Sequence, residues 1–213
     1  MPQYSLVDRT AGRWWGRTVC IVASGPSLTQ EDCDSIASLT NWKCIAVNDS
    51  FQRLPSADVL YACDGAWWRV HHEKVKTEFV GESWTQDQKT ADQFGLQRIG
   101  SINRPGLGKD RIIHQGGNGG YQSINIAYLW GAKRILTIGL DCKAGINGEA
   151  HWFGQHGKNL SKTQNFKGWN QRFQQLAADL VKEKVEVINL SRDTALTCFP
   201  RMSLEEAINL FKD

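Results

Sequence analysis

Short apolar runs alternate along this chain with stretches in which apolar residues recur every three or four positions. The runs Thr18–Ala23, Cys44–Val47, Val59–Ala62, Glu78–Val80, Arg111–His114, Ile135–Ile138 and Val185–Asn189 predict strands, most of them ending in a polar or glycine-rich corner. Trp169, Phe173, Leu176, Ala177 and Leu180 predict a helix, as do Leu204, Ala207, Ile208 and Phe211, which Ser203 and Glu206 open as an S-x-x-E capping box. A further helix is predicted over Tyr121–Trp130 with Gly131 to end it, and another starts near Thr29. Strands alternating with helices predict an α/β architecture: one Rossmann-like domain over 1–213, with a mostly parallel twisted sheet flanked by helices. Two stretches break the rhythm. Glu82–Gly95 is polar, and Lys143–Gly168 is an insertion long enough to predict a functional lid.

Composition narrows the class. With 213 residues, 41% hydrophobic and 22% charged, the chain reads as a soluble globular protein, and no apolar run approaches the roughly 20 residues of a spanning helix. The first 17 residues lack the apolar stretch of a secretion signal, which predicts a cytoplasmic protein. Six cysteines without C-x-x-C spacing read as reduced, buried thiols. A net charge of +3 does not by itself argue for nucleic acid, although Arg98, Arg104, Lys109 and Arg111 cluster around one loop and Lys158, Lys162 and Lys167 in another.

Four segments could carry chemistry. The corner Ala23-Ser24-Gly25-Pro26-Ser27-Leu28 combines glycine, a fixed proline turn and a serine hydroxyl before a helix start, as a phosphate seat or as a capped turn. Asn48, Asp64 and Asp141 follow three predicted strands, the edge at which open parallel sheets bind ligands. Asn48 suits a base or ribose; the two aspartates suit Mg²⁺ held through phosphate oxygens, or equally the capping of the turns that follow. His114-Gln115-Gly116-Gly117-Asn118-Gly119-Gly120-Tyr121 sets four glycines before a helix, exposing backbone N–H groups as an anion nest. Finally, His151 and His156 lie five apart around Trp152 and Phe153. They share no helical face and have no third ligand for zinc, so they predict general acid or base chemistry instead.

Taken in order, a strand ending G-P-S-L, a strand ending in an asparagine corner, a glycine nest opening a helix that ends in L-x-G-A-K-R-I, a strand ending G-x-D and a histidine-aromatic loop resemble a known superfamily. It comprises the bacterial sialyltransferases that use a CMP-activated sugar, the archaeal 6-hydroxymethylpterin pyrophosphokinase-like proteins and small phage proteins, and the similarity covers about residues 18–191. The resemblance implies a nucleotide or nucleotide-sugar donor, with Ser24, Gly25, Pro26, Ser27 and Asn48 on the nucleotide and Asn118, Gly119, Gly120 and Tyr121, beside Gly117, completing the donor site. It implies a catalytic base in the lid, His156 with His151 as the alternative. The sialyltransferases' asparagine before G-P-S-L is absent here, and Lys158 or Lys162 stands in for a tyrosine pair they place on the departing phosphate. The implied activity is transfer of a glycosyl group to a hydroxyl acceptor of undefined kind, whether glycan, nucleobase or small molecule. The alternatives are a pyrophosphokinase using Mg²⁺ on Asp64 and Asp141, and a nucleotide-binding or virion-associated protein without turnover. A phage origin would place the protein in the host cytoplasm; a homo-oligomer is compatible with all three.

Overall fold

The computed structural model describes residues 12–156, 160 and 165–212. In chain order the elements are β1 (Thr18–Val22), α1 (Gln30–Ala37), β2 (Trp42–Val47), β3 (Val59–Tyr61), α2 (Gly65–Glu78), β4 (Glu82–Thr85), α3 (Gln88–Phe94), β5 (Gln97–Arg98), β6 (Gly100–Ile102), β7 (Ile112–His114), α4 (Gly119–Leu129), β8 (Arg134–Ile138), α5 (Phe166–Lys182), β9 (Glu186–Asn189) and α6 (Leu204–Phe211). A 3₁₀ turn, Asn48–Gln52, follows β2. Seven strands form one parallel sheet in the order β5-β4-β3-β2-β1-β8-β9, and β6 and β7 pair separately.

The strand sequences explain the layers. Neighbouring residues of a strand face opposite sides, and both sides of β1, β2 and β8 are apolar, so the sheet is covered twice. Val19, Ile21, Ile45, Val47, Val59, Tyr61 and Ile135 face a core completed by Tyr121, Ile124 and Ala127 of α4 and Phe173, Leu176 and Leu180 of α5. Cys20, Val22, Cys44, Ala46, Leu60, Leu136 and Ile138 face the other core, with Cys33 and Ile36 of α1, Trp67, Trp68 and Val75 of α2, and Ala207 of α6. This is a doubly wound, Rossmann-like α/β fold. The winding runs outward from β1 through β5, then returns to lay β8 on the other side of β1. The crevice above β1 and β8 is therefore the topological switch point, the place where such sheets open to ligands.

Several predicted elements hold their places: Ser203 and Glu206 form the capping box of α6, α4 ends at Trp130 with Gly131 at φ +90°, and Thr29 caps α1. Three predictions need correction. Glu78–Val80 is the end of α2 and its exit, where Phe79 is buried as the helix cap and Val80 is 82% exposed. The strand lies four residues later, at β4, within the stretch read as a polar interruption, and that stretch also holds α3. Arg111–His114 is a strand only from Ile112, because Asp110 and Arg111 have positive φ, and it pairs with β6 rather than with the main sheet. All six cysteines are free thiols, four of them buried.

Candidate functional site

A cavity of about 360 Å³ opens at the C-terminal ends of the strands. It gathers most of the residues singled out above: Ser24 and Gly25 after β1, Asn48 after β2, Asp64 after β3, Gly117, Asn118, Gly119 and Gly120 at the start of α4, Asp141 after β8, and His151 and His156 from the insertion. Pro26, Ser27 and Tyr121 do not line it. Lys158, like Lys162, lies outside the described residues.

The floor is stitched across the switch point. Gly25 donates its N–H to the Gly139 carbonyl (2.7 Å), and the Asp141 carboxylate accepts from both the backbone N–H and the hydroxyl of Ser27 (2.7 Å each). A Cβ on Gly25 would stand 2.4 Å from the Asp141 carboxyl carbon and 2.5 Å from the Gly139 carbonyl oxygen. Glycine here lets the corners after β1 and β8 touch. The N–H groups of Gly25, Ser27 and Leu28 are all engaged within the protein, while Ser24 and Gly25 line the cavity. Burial raises the Asp141 carboxyl above its ordinary value against the two Ser27 bonds, which favour the charged form. Each Asp141 oxygen accepts one bond from Ser27, and among the described residues no group of three His, Cys, Asp or Glu side chains is placed to hold a metal ion.

The start of α4 is different. Asn118 caps it, its side-chain oxygen accepting from the Tyr121 N–H (3.1 Å). The N–H groups of Gly119 and Gly120 precede the first intrahelical bond and make no hydrogen bond among the described residues. They line the cavity at the positive end of the helix. The preceding loop turns through Gly116 and Gly117, at φ +54° and +75°. Packing adds a second reason for glycine: a Cβ at Gly119 would lie 2.8 Å from Val47 Cγ1, and one at Gly120 would lie 2.6 Å from Leu140 Cδ1. Tyr121, placed in the donor site by resemblance, instead points into the core, where its hydroxyl donates to the Gly106 carbonyl at 2.9 Å.

Opposite the helix, the insertion is moored to the β1 corner. The Trp152 N–H donates to the Ser24 carbonyl (3.1 Å), the Ser24 hydroxyl and His151 Nδ1 are 3.1 Å apart, and the Arg53 guanidinium lies 3.9 Å from the Trp152 ring centroid. His151 stacks on Phe153 at 4.8 Å, with the His156 ring 4.5 Å away. Burial, followed by the neighbouring His156, pushes the His151 imidazole down to about 4. It is neutral near pH 7 and a weak base. Below this group, buried Asp49 accepts from Trp67 Nε1 (2.9 Å) and Gln52 Nε2 (3.2 Å), with His71 Nε2 3.6 Å away.

The cavity also has walls that the sequence reading left out: Cys63, Gln86, Gln115, Gln122, Cys142, Lys143, Phe166 and Trp169. Lys143 is paired with Asp193 (2.7 Å). Gln122 accepts from the Tyr61 hydroxyl and donates to the Gln115 carbonyl, and Gln115 donates to the Ser101 hydroxyl. Gln86 differs: its side-chain oxygen is buried and has no hydrogen-bond partner among the described residues. The alternation of Trp84 between polar neighbours, followed by Asp87 as a helix cap, was the signal that could have located β4 and hence Gln86 at its end.

No family model and no curated protein matches the chain. Among solved structures, a short-chain dehydrogenase from Mycobacterium smegmatis matches at 14% identity and a TM-score of 0.28, over 94% of this chain and 86% of that one. A short-chain dehydrogenase/reductase double mutant from Serratia marcescens matches at 11% identity and a TM-score of 0.25, over 84% and 74%. Overlaps this low carry no argument about activity.

Proposed function

We propose that this chain is a transferase that takes a glycosyl group from a nucleotide-activated donor to a hydroxyl acceptor. One observation carries the reading: two N–H groups at the start of α4, unengaged among the described residues, and the histidine pair His151 and His156 line the same switch-point cavity. The helix terminus suits a phosphate whose negative charge grows as its bond to the sugar breaks. His156 suits the role of base, taking the acceptor hydroxyl's proton as the acceptor oxygen bonds to the sugar carbon and the electron pair of the broken bond departs with the nucleotide. His151 is poorly suited to that role, being held neutral, low in basicity and tied to Ser24; it positions the insertion. A Mg²⁺-dependent pyrophosphoryl transfer would instead draw on Asp64 and Asp141, both of which line the cavity.

The test is a panel of nucleotides and nucleotide sugars, with and without Mg²⁺, read by thermal shift and by donor hydrolysis. Metal-independent release of sugar is expected. Release of AMP from ATP only with Mg²⁺ would replace this reading by pyrophosphoryl transfer, and binding without turnover would reduce it to nucleotide binding.

A further inference from the structure

Trp169 and Arg172 stand one turn apart on α5, on the face that meets the loop leading into α4. A Cβ on Gly117 would lie 2.8 Å from an Arg172 guanidinium nitrogen and 3.5 Å from Trp169 Nε1. Glycine at 117, with φ +75°, lets both groups close on this loop. Gly117 and Trp169 line the switch-point cavity. Both α5 side chains keep part of their surface exposed, and among the described residues neither the indole N–H nor the guanidinium makes a hydrogen bond or ion pair.

That sets Arg172 apart. The other half-buried arginines each have a partner: Arg13 pairs with Glu82, Arg134 with Glu186, and Arg53 donates to the Leu28 carbonyl. The acid of α5 itself, Asp179, is committed to the Leu107 N–H, Gln175 and Lys182. Lys143, the lysine on the cavity wall, is held by Asp193. A guanidinium with no counter-charge, resting on a glycine of an anion-binding loop, has its charge left for a ligand, and phosphate is the anion its planar fork fits best.

The cavity thus has two sets of donors on adjoining backbone. One is the pair of N–H groups at Gly119 and Gly120; the other, from α5, is gathered at Gly117, whose Cα is at most about 7.6 Å from that of Gly119. A phosphodiester, as in a nucleoside monophosphate sugar, carries a single charge on two free oxygens, which the two N–H groups suffice to bind. A diphosphate adds a second charge and two further oxygens. Resting on the function proposed above, we infer that the donor is a nucleoside diphosphate sugar and that Trp169 and Arg172 bind its second phosphate.

The experiment compares wild type with Arg172→Gln, which removes the charge, and Trp169→Phe, which keeps a ring against Phe166 and loses only the N–H. Calorimetry measures the affinity of each for the monophosphate and the diphosphate of whichever of adenosine, cytidine, guanosine and uridine binds best, so that contacts to the base cancel. Melting is followed without ligand. Wild type should bind the diphosphate at least about tenfold more tightly than the monophosphate. Arg172→Gln should melt with wild type, since it breaks no ion pair, keep its affinity for the monophosphate and lose the preference; Trp169→Phe should lose part of it and tests the site independently. Equal binding of the two nucleotides by wild type, an equal weakening of both in Arg172→Gln, an unchanged preference in both variants, or a fall in melting temperature that accounts for the loss would each overturn the assignment. Failure of wild type to bind any nucleotide would instead overturn the proposed function on which it rests.

Discussion

Replacing His151 by glutamine should remove a defined piece of the protein's acid sensitivity. In the folded chain the imidazole is pushed from 6.5 to about 4, first by burial and then by His156. A group whose folded pKa is depressed binds its proton less readily in the native than in the unfolded state. Between pH 6.5 and 4 the unfolded chain therefore carries more protons, and stability falls as pH falls. At 1.36 kcal/mol per pH unit the full effect is about 3 kcal/mol, of which about 2 kcal/mol is already lost by pH 5. Below pH 4 both states are protonated and the loss stops growing. Urea unfolding at intervals from pH 7.5 to 5 measures it, taking the difference between wild type and His151→Gln. His71, also held below its ordinary value chiefly by burial, acts with the same sign in both proteins and drops out of that difference. The variant should start lower at pH 7.5, having lost the Ser24 contact, and the two curves should converge toward pH 5. Parallel curves would refute the argument by showing that His151 takes up its proton without penalty and that the mooring of the insertion is not what buries it.

Asp141→Asn can accept only one of the two Ser27 bonds, and should lower stability by about 1.5–2 kcal/mol and the melting temperature by about 3–8 °C without any ligand present; an unchanged melt would return Asp141 to the ligand. Gly119→Val should destabilise by about 1–3 kcal/mol as its side chain meets Val47, besides blocking the helix terminus, and calorimetric unfolding alongside nucleotide titration separates the two losses. His156→Ala should leave donor affinity nearly intact and lower turnover about 10²–10⁴-fold under saturating donor; wild-type turnover would remove it as the base.

The doubly wound sheet was readable because its central strands are apolar on both faces and end in corners of glycine, asparagine and aspartate. Asn48, Asp64 and Asp141 could be placed on one edge from strand ends alone. What those residues do there was not readable. Whether Asp141 faces a ligand or Ser27 depends on two corners more than 110 residues apart meeting across the switch point, and no local pattern encodes that contact. Tyr121 sits in a glycine-rich sequence that promises a ligand, yet the turn of α4 directs its ring into the core. Gln86 escaped notice because β4 is only four residues long and its signal, one buried aromatic between polar neighbours followed by the Asp87 cap, lies inside a stretch that is polar as a whole.

The stitched corners also determine where this protein can change. Asp141 is bound to Ser27 through its side chain, its carbonyl receives the Ala195 N–H, and Lys143 is paired with Asp193. The insertion therefore springs from an anchored root that extends as far as Lys143. Between Lys143 and His151, where the chain is next moored to Ser24, a change of length would leave the sheet edge, the α4 terminus, the Ser27 clasp and the histidine pair as they are.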